Sequence, residues 1–472
     1  MKKSFRNITT ILFLFYMQIA SFAQQSFGGW SVSDFLHANR ARHASVVLPD
    51  SNILVTGGIG YLKELSSCEI YDIKTGKWRY TDSMSISRNY HKAILLDNGR
   101  VLVVGGFNVR SCELFNPETE KWTLIDSTVD KRYWLFTATK LKSGKVLVSG
   151  GRYYGNGYKG IVTQKSCELF NPETNKWALT DSLKVGRDSH TATLLKNGKV
   201  LVVGGYDLYG NELKSCELYD PETNIWSYTD SLKEERRDHL AVLLPDGKVL
   251  VTGGKNSRES GGYTGKWVTS VEIYDPETNK WTSGGDRVLA IAGQEGFLLS
   301  NGNVMFLGGT PGRYWEIYNP VEFKTVKLDT LPLSIDFPTF NFIGKDKILS
   351  AGGFKWVDIS VFPTNECEIY DASLTGVEEK RPNQIYNFNL SQNYPNPFNP
   401  STVINYEIPK ASKVTLKIFD LLGKELDTLV DEYKETGKYS VQFNSRDLPS
   451  GMYIYEIRAG NFTKSGKMLL LK

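Results

Sequence analysis

The sequence predicts an all-β protein that combines a set of repeated four-stranded sheets with a separate β-sandwich at its C-terminal end. A Gly-Gly pair follows an apolar run seven times, at intervals of 44 to 55 residues. Aromatic residues make up 12% of the chain and glycines number 43, as expected of strands joined by tight turns. Residues 388–472 lack the repeat and instead contain runs in which apolar and polar residues alternate.

Residues 1–23 are expected to be a secretory signal peptide that is removed before Gln24. Three basic side chains, Lys2, Lys3 and Arg6, precede a mostly apolar stretch and a small residue at the end, Ala23. A membrane anchor is the alternative, but the apolar stretch has about 13 residues and a bilayer span needs roughly 20. We therefore expect export to the periplasm and no membrane span after signal cleavage.

Each repeat carries four strand signals, which are clearest in the fourth repeat. Residues 190–195, 199–203 and 216–219 predict strands A, B and C, and strand D begins at a tryptophan. Asn197-Gly198 supplies the positive φ angles of a tight hairpin between strands A and B. A tryptophan begins the fourth strand in five repeats: Trp78, Trp122, Trp177, Trp226 and Trp281.

The pattern of Gly-Gly after a strand, followed by Glu-x-Tyr-Asp-Pro-x-Thr-x-x-Trp, resembles the kelch repeat. The resemblance covers about residues 28–372 and implies a seven-bladed kelch-type β-propeller, whose domain we place at 24–372. The sixth and seventh repeats are degenerate. Repeat six has Trp315 to Pro320 but no tryptophan at the start of its fourth strand.

Closure of the ring is predicted from the two ends of the repeat array. The seventh repeat ends after strand C at Asp371, with no fourth strand, whereas the segment around Trp30 has the pattern of a strand D without a repeat of its own. We expect this segment to complete the seventh blade, which would leave no free sheet edge.

Five cysteines occupy one repeat position, directly before the Glu of strand C: Cys68, Cys112, Cys167, Cys216 and Cys367. Val271 holds that position in the fifth repeat. Neighbouring blades should separate these positions by roughly 10 Å, whereas a disulfide needs Cα atoms within about 7 Å. We expect free, buried thiols, and neither a metal site nor a cofactor.

The D–A and B–C connections share one face of the propeller, and candidate ligand-binding residues collect there. Strand A begins with Arg-x-x-His in four repeats, and the longer B–C loops are rich in aromatic residues. The candidates are Arg40, Arg88, Arg187, Arg236, His43, His91, His190, His239, Tyr153, Tyr154, Tyr158, Tyr206, Tyr263 and Trp267. Arginines bind carboxylates or phosphates and aromatic rings stack on sugars. Alternatively, the Arg-x-x-His residues are a repeat consensus that satisfies backbone carbonyls or glutamates of neighbouring blades.

The sequence contains no H-E-x-x-H, G-x-S-x-G or P-loop motif, and its five histidines lack metal-ligand spacing. Without the basic signal segment the chain is close to neutral, so nucleic acid is not expected as a partner. Copper-radical oxidases such as galactose oxidase also use kelch blades, but no candidate Cys–Tyr pair stands out here. The leading hypothesis is a non-catalytic recognition propeller for a glycan or protein ligand. The alternatives are an enzyme resembling the kelch-type N-acetylneuraminate epimerases, for which no general base is identified, and a structural surface protein.

After a polar, turn-like linker at 373–387, residues 388–472 resemble the C-terminal sorting domain of type IX secretion. The resemblance rests on four segments: Tyr394 to Pro400, Lys417 to Lys424, Leu448 to Tyr453 and Lys467 to Lys472. Strands predicted at 403–408, 414–419, 439–443 and 452–457 suit an immunoglobulin-like β-sandwich. The resemblance implies recognition by the outer-membrane translocon and delivery to the outer cell surface or the extracellular space. A plain immunoglobulin-like accessory module is the alternative.

Overall fold

The computed structural model describes residues 29–154, 161–256, 266–310, 314–333, 335–357, 360–372, 388–393, 395–408, 411–434, 437–445, 448–460 and 462–471. The chain divides into two compact units, residues 1–379 and 380–472. The predicted signal peptide and linker lie outside the described residues, as do Tyr158 and Tyr263. In the described ranges, no helix has the length and apolar character needed to cross a membrane.

The first unit is built from strands β1 to β33. Their bounds are β1 Trp30–Val32, β2 Ala44–Val47, β3 Ile53–Thr56, β4 Cys68–Asp72, β5 Lys77–Thr81, β6 Lys92–Leu95, β7 Val101–Val104, β8 Cys112–Asn116, β9 Lys121–Ile125, β10 Thr137–Lys140, β11 Val146–Ser149, β12 Arg152–Tyr154, β13 Ile161–Thr163, β14 Cys167–Asn171, β15 Lys176–Thr180, β16 Thr191–Leu194, β17 Val200–Val203, β18 Cys216–Asp220, β19 Ile225–Tyr228, β20 Leu240–Leu243, β21 Val249–Thr252, β22 Lys255–Asn256, β23 Lys266–Trp267, β24 Ser270–Asp275, β25 Lys280–Asp286, β26 Ala292–Leu298, β27 Val304–Thr310, β28 Tyr314–Asn319, β29 Lys324–Thr330, β30 Ile335–Asp336, β31 Thr339–Gly344, β32 Lys347–Val357 and β33 Ser360–Asp371.

These strands form the seven antiparallel blades that the repeat predicts. Blades one to six are β2–β5, β6–β9, β10-β11-β14-β15, β16–β19, β20-β21-β24-β25 and β26–β29, and blade seven is β31-β32-β33-β1, with the short β30 also paired to β32. First strands of neighbouring blades approach one another and form the inner wall of the ring. All four residues of strand B are buried in blades one to five, because adjacent sheets cover both faces of an inner strand.

The N-terminal strand closes the ring, as the sequence predicts. β1 pairs antiparallel with β33, and Trp30 lies opposite Tyr370 in this ladder. The Trp30 side chain is fully buried, and its ring centroid lies 5.3 Å from that of Tyr370. Blade seven is therefore assembled from both ends of the repeat array, and this clasp holds the two ends together.

In five blades the second residue of the glycine pair forms a hydrogen bond to the next blade. The amide of Gly205 donates to the carbonyl of Arg236 in the following blade at 2.9 Å. A Cβ atom on Gly204, whose φ is +57°, would lie 2.6 Å from that same carbonyl oxygen. The equivalent bond at the point of closure runs from Gly353 to Arg40 at 2.8 Å. Glycine is thus required at these positions both by the positive φ angle and by the close approach of the neighbouring backbone.

The five cysteines are free and buried, which confirms the prediction. Each thiol donates to the carbonyl two residues earlier in the chain. Burial raises the pKa of every one of these thiols to about 12. Val271 and Trp315, both fully buried, occupy the same position in blades five and six. The position is therefore an apolar packing site between sheets.

The second unit is a β-sandwich of two antiparallel sheets. Its strands are β34 Asn389–Leu390, β35 Ser401–Ile408, β36 Ser412–Phe419, β37 Glu425–Lys434, β38 Gly437–Asn444, β39 Gly451–Ala459 and β40 Phe462–Leu470. One sheet has the order β34-β35-β38 and the other β37-β36-β39-β40. Side chains of both sheets, such as Ile404 and Ile457, share one buried core. The four predicted strands all fall within this sandwich, whereas β34, β37 and β40 were not predicted.

Candidate functional site

The four arginines of the Arg-x-x-His pattern do not face the mouth of the channel. Their side chains are fully buried. Each donates to the strand C glutamate of its own blade, in the pairs Arg40–Glu69 (2.6 Å), Arg88–Glu113 (2.7 Å), Arg187–Glu217 (2.6 Å) and Arg236–Glu272 (2.8 Å). Contrary to the expectation from the sequence, these side chains do not reach the face of the D–A and B–C connections, because a buried carboxylate and nearby backbone carbonyls hold each guanidinium inside the blade.

Two further arginines belong to this set, although the sequence pattern missed them. Arg132 pairs with Glu168 at 3.1 Å and Arg287 with Glu316 at 3.0 Å, and both arginines are buried. Neither is followed by histidine at the third position, so the Arg-x-x-His spacing could not identify them. The arginine–glutamate pair is thus a structural component of blades one to six.

The strand C glutamate also fixes the loop that leads into its blade. In blade four, Glu217 accepts from the backbone amides of Lys184 (2.7 Å) and Val185 (3.2 Å). Arg187 in the same loop donates to the carbonyl of Gly204 at 2.7 Å. The loop, the glycine pair and strand C therefore form one hydrogen-bonded unit, in which the buried charges are satisfied.

The four predicted histidines are buried contacts between blades. The Nε2 atom of each lies within hydrogen-bonding distance of a threonine hydroxyl in the preceding blade, in the pairs His43–Thr339, His91–Thr56, His190–Thr137 and His239–Thr191. Burial lowers the pKa of His43 and His239 to about 3 and lowers that of the other two well below its ordinary value. All four are therefore neutral at physiological pH. His43 and His91 also lie along the wall of a cavity.

Two rings of equivalent residues surround the channel on this face. The lumen ring consists of the strand A residues that pair with the residue directly before each glycine pair: Ala44, Lys92, Thr137, Thr191, Leu240, Glu295 and Thr339. The mouth ring lies two residues earlier in the chain: Arg42, Tyr90, Leu135, Ser189, Asp238, Gly293 and Phe337. Every mouth-ring residue has a positive φ, between 52° and 71°.

Backbone hydrogen bonds connect the mouth ring from blade to blade. The amide of Tyr90 donates to the carbonyl of Arg42, and that of Ser189 to Leu135. The backbone amide of Asp238 donates to the carbonyl of Ser189, and the amide of Gly293 donates to the carbonyl of Asp238 at 2.8 Å. Because non-glycine residues seldom adopt positive φ, its recurrence at six side-chain-bearing positions shows that the fold imposes this conformation. The side chains at these positions differ in every blade.

A cavity of about 450 Å³ occupies the mouth of the channel. Six of the seven mouth-ring residues line it, all except Ser189. Lys92 and Glu295 of the lumen ring, Lys255 and Trp267 complete the charged and aromatic part of its wall. Its volume lies within the range of about 300–1,000 Å³ that is typical of small-molecule sites.

Lys92 and Glu295 have solvent-accessible side chains that line the cavity inside the channel. Burial in the channel raises the pKa of Glu295 to about 7, although the nearby Lys92 opposes that shift. Burial likewise lowers the pKa of Lys92, which Glu295 opposes. Both groups are therefore incompletely hydrated, and Glu295 is ionised in only about half of the molecules near pH 7.

The predicted aromatic residues divide into two groups. Trp267 lines the cavity, and the Nζ atom of Lys255 lies 4.6 Å from the centre of its ring. Tyr206 and Tyr153 are on the same face but outside the cavity wall. The Tyr206 ring is covered by the guanidinium of Arg237 at 4.3 Å. Tyr153 meets Tyr133 edge-on at 6.5 Å. The side chain of Tyr154 lies outside the described residues, like Tyr158 and Tyr263.

The sequence reasoning missed the residues that carry most of the cavity's character. Arg42, Tyr90, Asp238 and Phe337 were passed over as the variable positions between the repeated arginine and strand A. The available signal was that the residue type at this position differs between repeats whose other positions are constant. Such a position is not needed for the packing of the blades. Lys92 and Glu295 had a signal too, because they alone place a charge at the lumen-ring position.

Family models match both units of the chain. The KLHDC2/KLHL20/DRC7 Kelch-repeats domain matches residues 135–330, and the Kelch motif matches residues 40–85 and 88–127. The Secretion system C-terminal sorting domain matches residues 392–471. The chain is therefore a kelch-repeat β-propeller that is followed by a type IX sorting domain. That sorting domain indicates export to the cell surface or the extracellular space by the type IX machinery.

Curated relatives match a short part of the repeat region. Spermatocyte protein spe-26 of Caenorhabditis elegans is 28% identical over 98 residues, which cover 20% of this chain and 17% of that protein. Kelch-like protein 24 of Homo sapiens is 31% identical over 101 residues, which cover 21% of this chain and 15% of that protein. The chain thus spans less than a fifth of the length of either relative.

Solved structures are similar to this chain at low sequence identity. A chain described as a novel fungal alcohol oxidase with catalytic diversity among the AA5 family, in complex with copper, is 14% identical, with a TM-score of 0.57 over 94% of this chain and 99% of that one. YjhT is 15% identical, with a TM-score of 0.46 over 71% of this chain and 99% of that one. Among the described residues of the present chain, no cluster of three or more His, Cys, Asp or Glu side chains has the arrangement of a metal site.

Proposed function

We propose that the propeller is a non-catalytic recognition domain of an exported protein, and that it binds a glycan or a protein segment at the mouth of its channel. The observation that supports this proposal is the mouth ring. Six of its residues line a cavity, all seven share one backbone conformation, and their side chains differ from blade to blade. Variation concentrated at one concave place on a repeated scaffold is typical of a binding surface.

A thermal-shift screen of the purified full chain against soluble oligosaccharides and peptides tests this proposal. A ligand at about 100 times its Kd should add about 2.7 kcal/mol of stability. The shift should disappear in Trp267→Ala, which removes an aromatic wall of the cavity. Trp356→Ala is the matched control, because Trp356 is an exposed tryptophan in blade seven that does not line the cavity. A shift that survives in Trp267→Ala would place the ligand elsewhere.

A carbohydrate-active enzyme resembling the kelch-type N-acetylneuraminate epimerases is a second candidate function, and Glu295 is the observation that favours it. A carboxyl with a pKa of about 7 is suited to general acid–base catalysis near neutral pH. The buried arginines cannot anchor a sugar carboxylate, so Arg42 or Lys255 would have to do so. Turnover of N-acetylneuraminate, followed by NMR and lost in Glu295→Gln, would support this function. A third candidate, a structural surface protein, predicts no response in either assay.

We further propose that export proceeds in two steps. Residues 1–23 would direct the chain to the periplasm, and residues 388–472 would then engage the type IX outer-membrane translocon. Deletion of 388–472 should leave the propeller in the periplasmic fraction, and deletion of 1–23 should leave it in the cytoplasm. Normal release of the chain without residues 388–472 would contradict the second step.

A further inference from the structure

Opposite charges line opposite walls of the mouth cavity. Arg42 of the mouth ring and Lys92 of the lumen ring belong to blades one and two. Asp238 of the mouth ring and Glu295 of the lumen ring belong to blades five and six. In a closed ring of seven blades, these two pairs of neighbours stand across the channel from each other. The cavity therefore has a cationic wall and an anionic wall.

These four charges are not used in the architecture of the blades. Among the described residues, ion pairs at the channel end involve other groups, such as Arg152 with Asp188 and Arg237 with Glu212. The Arg42 guanidinium instead lies over the rings of Tyr90 (4.5 Å) and Phe354 (5.2 Å). Such contacts orient a cation but leave its charge uncompensated.

Within the part of the chain that the structure describes, Lys255 is the one further charged side chain of the cavity wall. It belongs to blade five and thus to the anionic side, but it lies against Trp267, its partner in the B–C hairpin formed by β22 and β23. Among the described residues, Lys255 is not paired with Glu295 or Asp238, and its contact with Trp267 provides the anionic wall with an aromatic neighbour.

We propose that the mouth cavity binds a zwitterionic unit, whose carboxylate faces Arg42 and Lys92 and whose ammonium faces Asp238 and Glu295. This inference rests on the proposed function and specifies the chemistry of its ligand. A ligand with one charge would compensate the charges of one wall and would leave those of the other wall desolvated without a counter-charge. A zwitterion compensates the charges of both walls. The shared unit can belong to a glycan that carries amino and carboxyl groups or to a peptide segment.

Three small probes of one length test the charge requirement on the full chain. They are ε-aminocaproate, which carries both charges, caproate, which carries the carboxylate alone, and hexylamine, which carries the ammonium alone. Calorimetric titration should show ε-aminocaproate binding about tenfold or more tightly than either control, since each added charge-assisted contact is worth more than about 1.4 kcal/mol. Equal binding of caproate would establish a simple anion site, and equal binding of hexylamine a simple cation site. Either result, or binding of none of the three, overturns the inference.

Variants of the two lumen-ring charges test the assignment of the walls. Lys92→Met and Glu295→Gln should each weaken ε-aminocaproate binding about tenfold or more. Lys121→Met is the control, because Lys121 is an exposed lysine of an outer strand. The melting temperature of each variant without ligand shows whether its fold is intact. Unchanged affinity in both folded variants would contradict the proposed contacts.

The pH dependence of binding gives a second readout. Glu295 shares the cavity with Lys92, Asp238, Lys255, Arg42 and the neutral His43 and His91. Because Glu295 must be ionised to pair with the ammonium, affinity should rise as the pH rises through about 7, and Glu295→Gln should abolish that rise. A screen that yields a Trp267-dependent oligosaccharide or peptide ligand while the zwitterion fails would overturn this inference and leave the proposed function standing. Failure of both would remove both.

Discussion

Blades one to six and blade seven treat the same buried carboxyl group in different ways. In the first six, an arginine of the incoming loop pairs with the strand C glutamate. In blade seven, Glu368 occupies the glutamate position and is 1% exposed, but Ile335 stands where the other loops place arginine. The amide of Leu333 donates to Glu368 at 2.6 Å, and burial raises the pKa of this carboxyl to about 8.

The difference teaches how the ring is closed. Six blades neutralise the buried carboxylate with a cation, and the closing blade neutralises it with a proton. Val32 of the clasp strand lies opposite Glu368 in the ladder. The seventh blade therefore combines a strand from the distant N-terminal end with a carboxyl group whose charge depends on pH. The following predictions distinguish the clasp strand and the unpaired carboxyl of blade seven from the arginine–glutamate pairs and buried cysteines of the other blades.

Deletion of residues 24–36 is expected to have the largest effect, because it removes the clasp that only blade seven contains. Trp30 is fully buried, and the loss of this one tryptophan side chain would by itself cost about 3–5 kcal/mol. The deletion also removes the ladder between β1 and β33. The melting temperature of the full chain should fall sharply. Melting like that of the intact chain would show that the clasp does not contribute to the stability of the ring.

Arg187→Met should lower the free energy of unfolding by about 3–5 kcal/mol, because it leaves Glu217 buried without a cation. Denaturant titration measures this effect. Lys121→Met removes one member of an exposed pair with Asp82 and should change stability by less than about 1 kcal/mol. If both variants behaved alike, the arginine–glutamate pairs would not be what holds the loops of blades one to six.

Glu368→Gln should stabilise the chain at neutral pH, whereas Glu217→Gln should destabilise it by leaving Arg187 without a counter-charge. The folded-state pKa of Glu368, about 8, exceeds its ordinary value of 4.5. The folded chain therefore keeps a proton that the unfolded chain releases, and stability from this group is complete below 4.5 and lost as the pH rises to about 8. Melting temperatures across that interval should fall for the wild type more than for Glu368→Gln. If the melting temperatures of the two proteins depended on pH in the same way, Glu368 would not have the raised pKa on which this prediction rests.

Cys216→Val should have the smallest effect, because blade five already carries Val271 at the equivalent position. A change that conserves volume and polarity in a core usually costs less than about 1.5 kcal/mol. Denaturant titration should show little change, and the native chain should resist thiol reagents at all five cysteines, which are buried. Rapid labelling of the native chain would show that the sheets separate more readily than the packing indicates.

The fold was largely predictable from the sequence, because the glycine pairs, the tryptophans and the cysteines recur in a register that only a ring of blades satisfies. Even the clasp at Trp30 followed from a missing strand. The site was less predictable. Repetition drew attention to Arg187 and His190, whose recurrence reflects a contact within a blade and a contact between blades, respectively. The residues that line the cavity, such as Asp238 and Glu295, share a position in space but no sequence pattern, and their proximity depends on closure across hundreds of residues.

The hydrogen-bonded mouth ring has a consequence for how the binding specificity of such a protein can evolve. Backbone hydrogen bonds between blades help to fix its conformation, which recurs with seven different residues at its seven positions. Substitutions at Arg42, Tyr90 or Phe337 would therefore alter what the cavity presents without altering how the blades assemble. Because the scaffold and the cavity wall depend on different residues, one exported frame can acquire new specificities by single changes at the six mouth-ring positions that line the cavity.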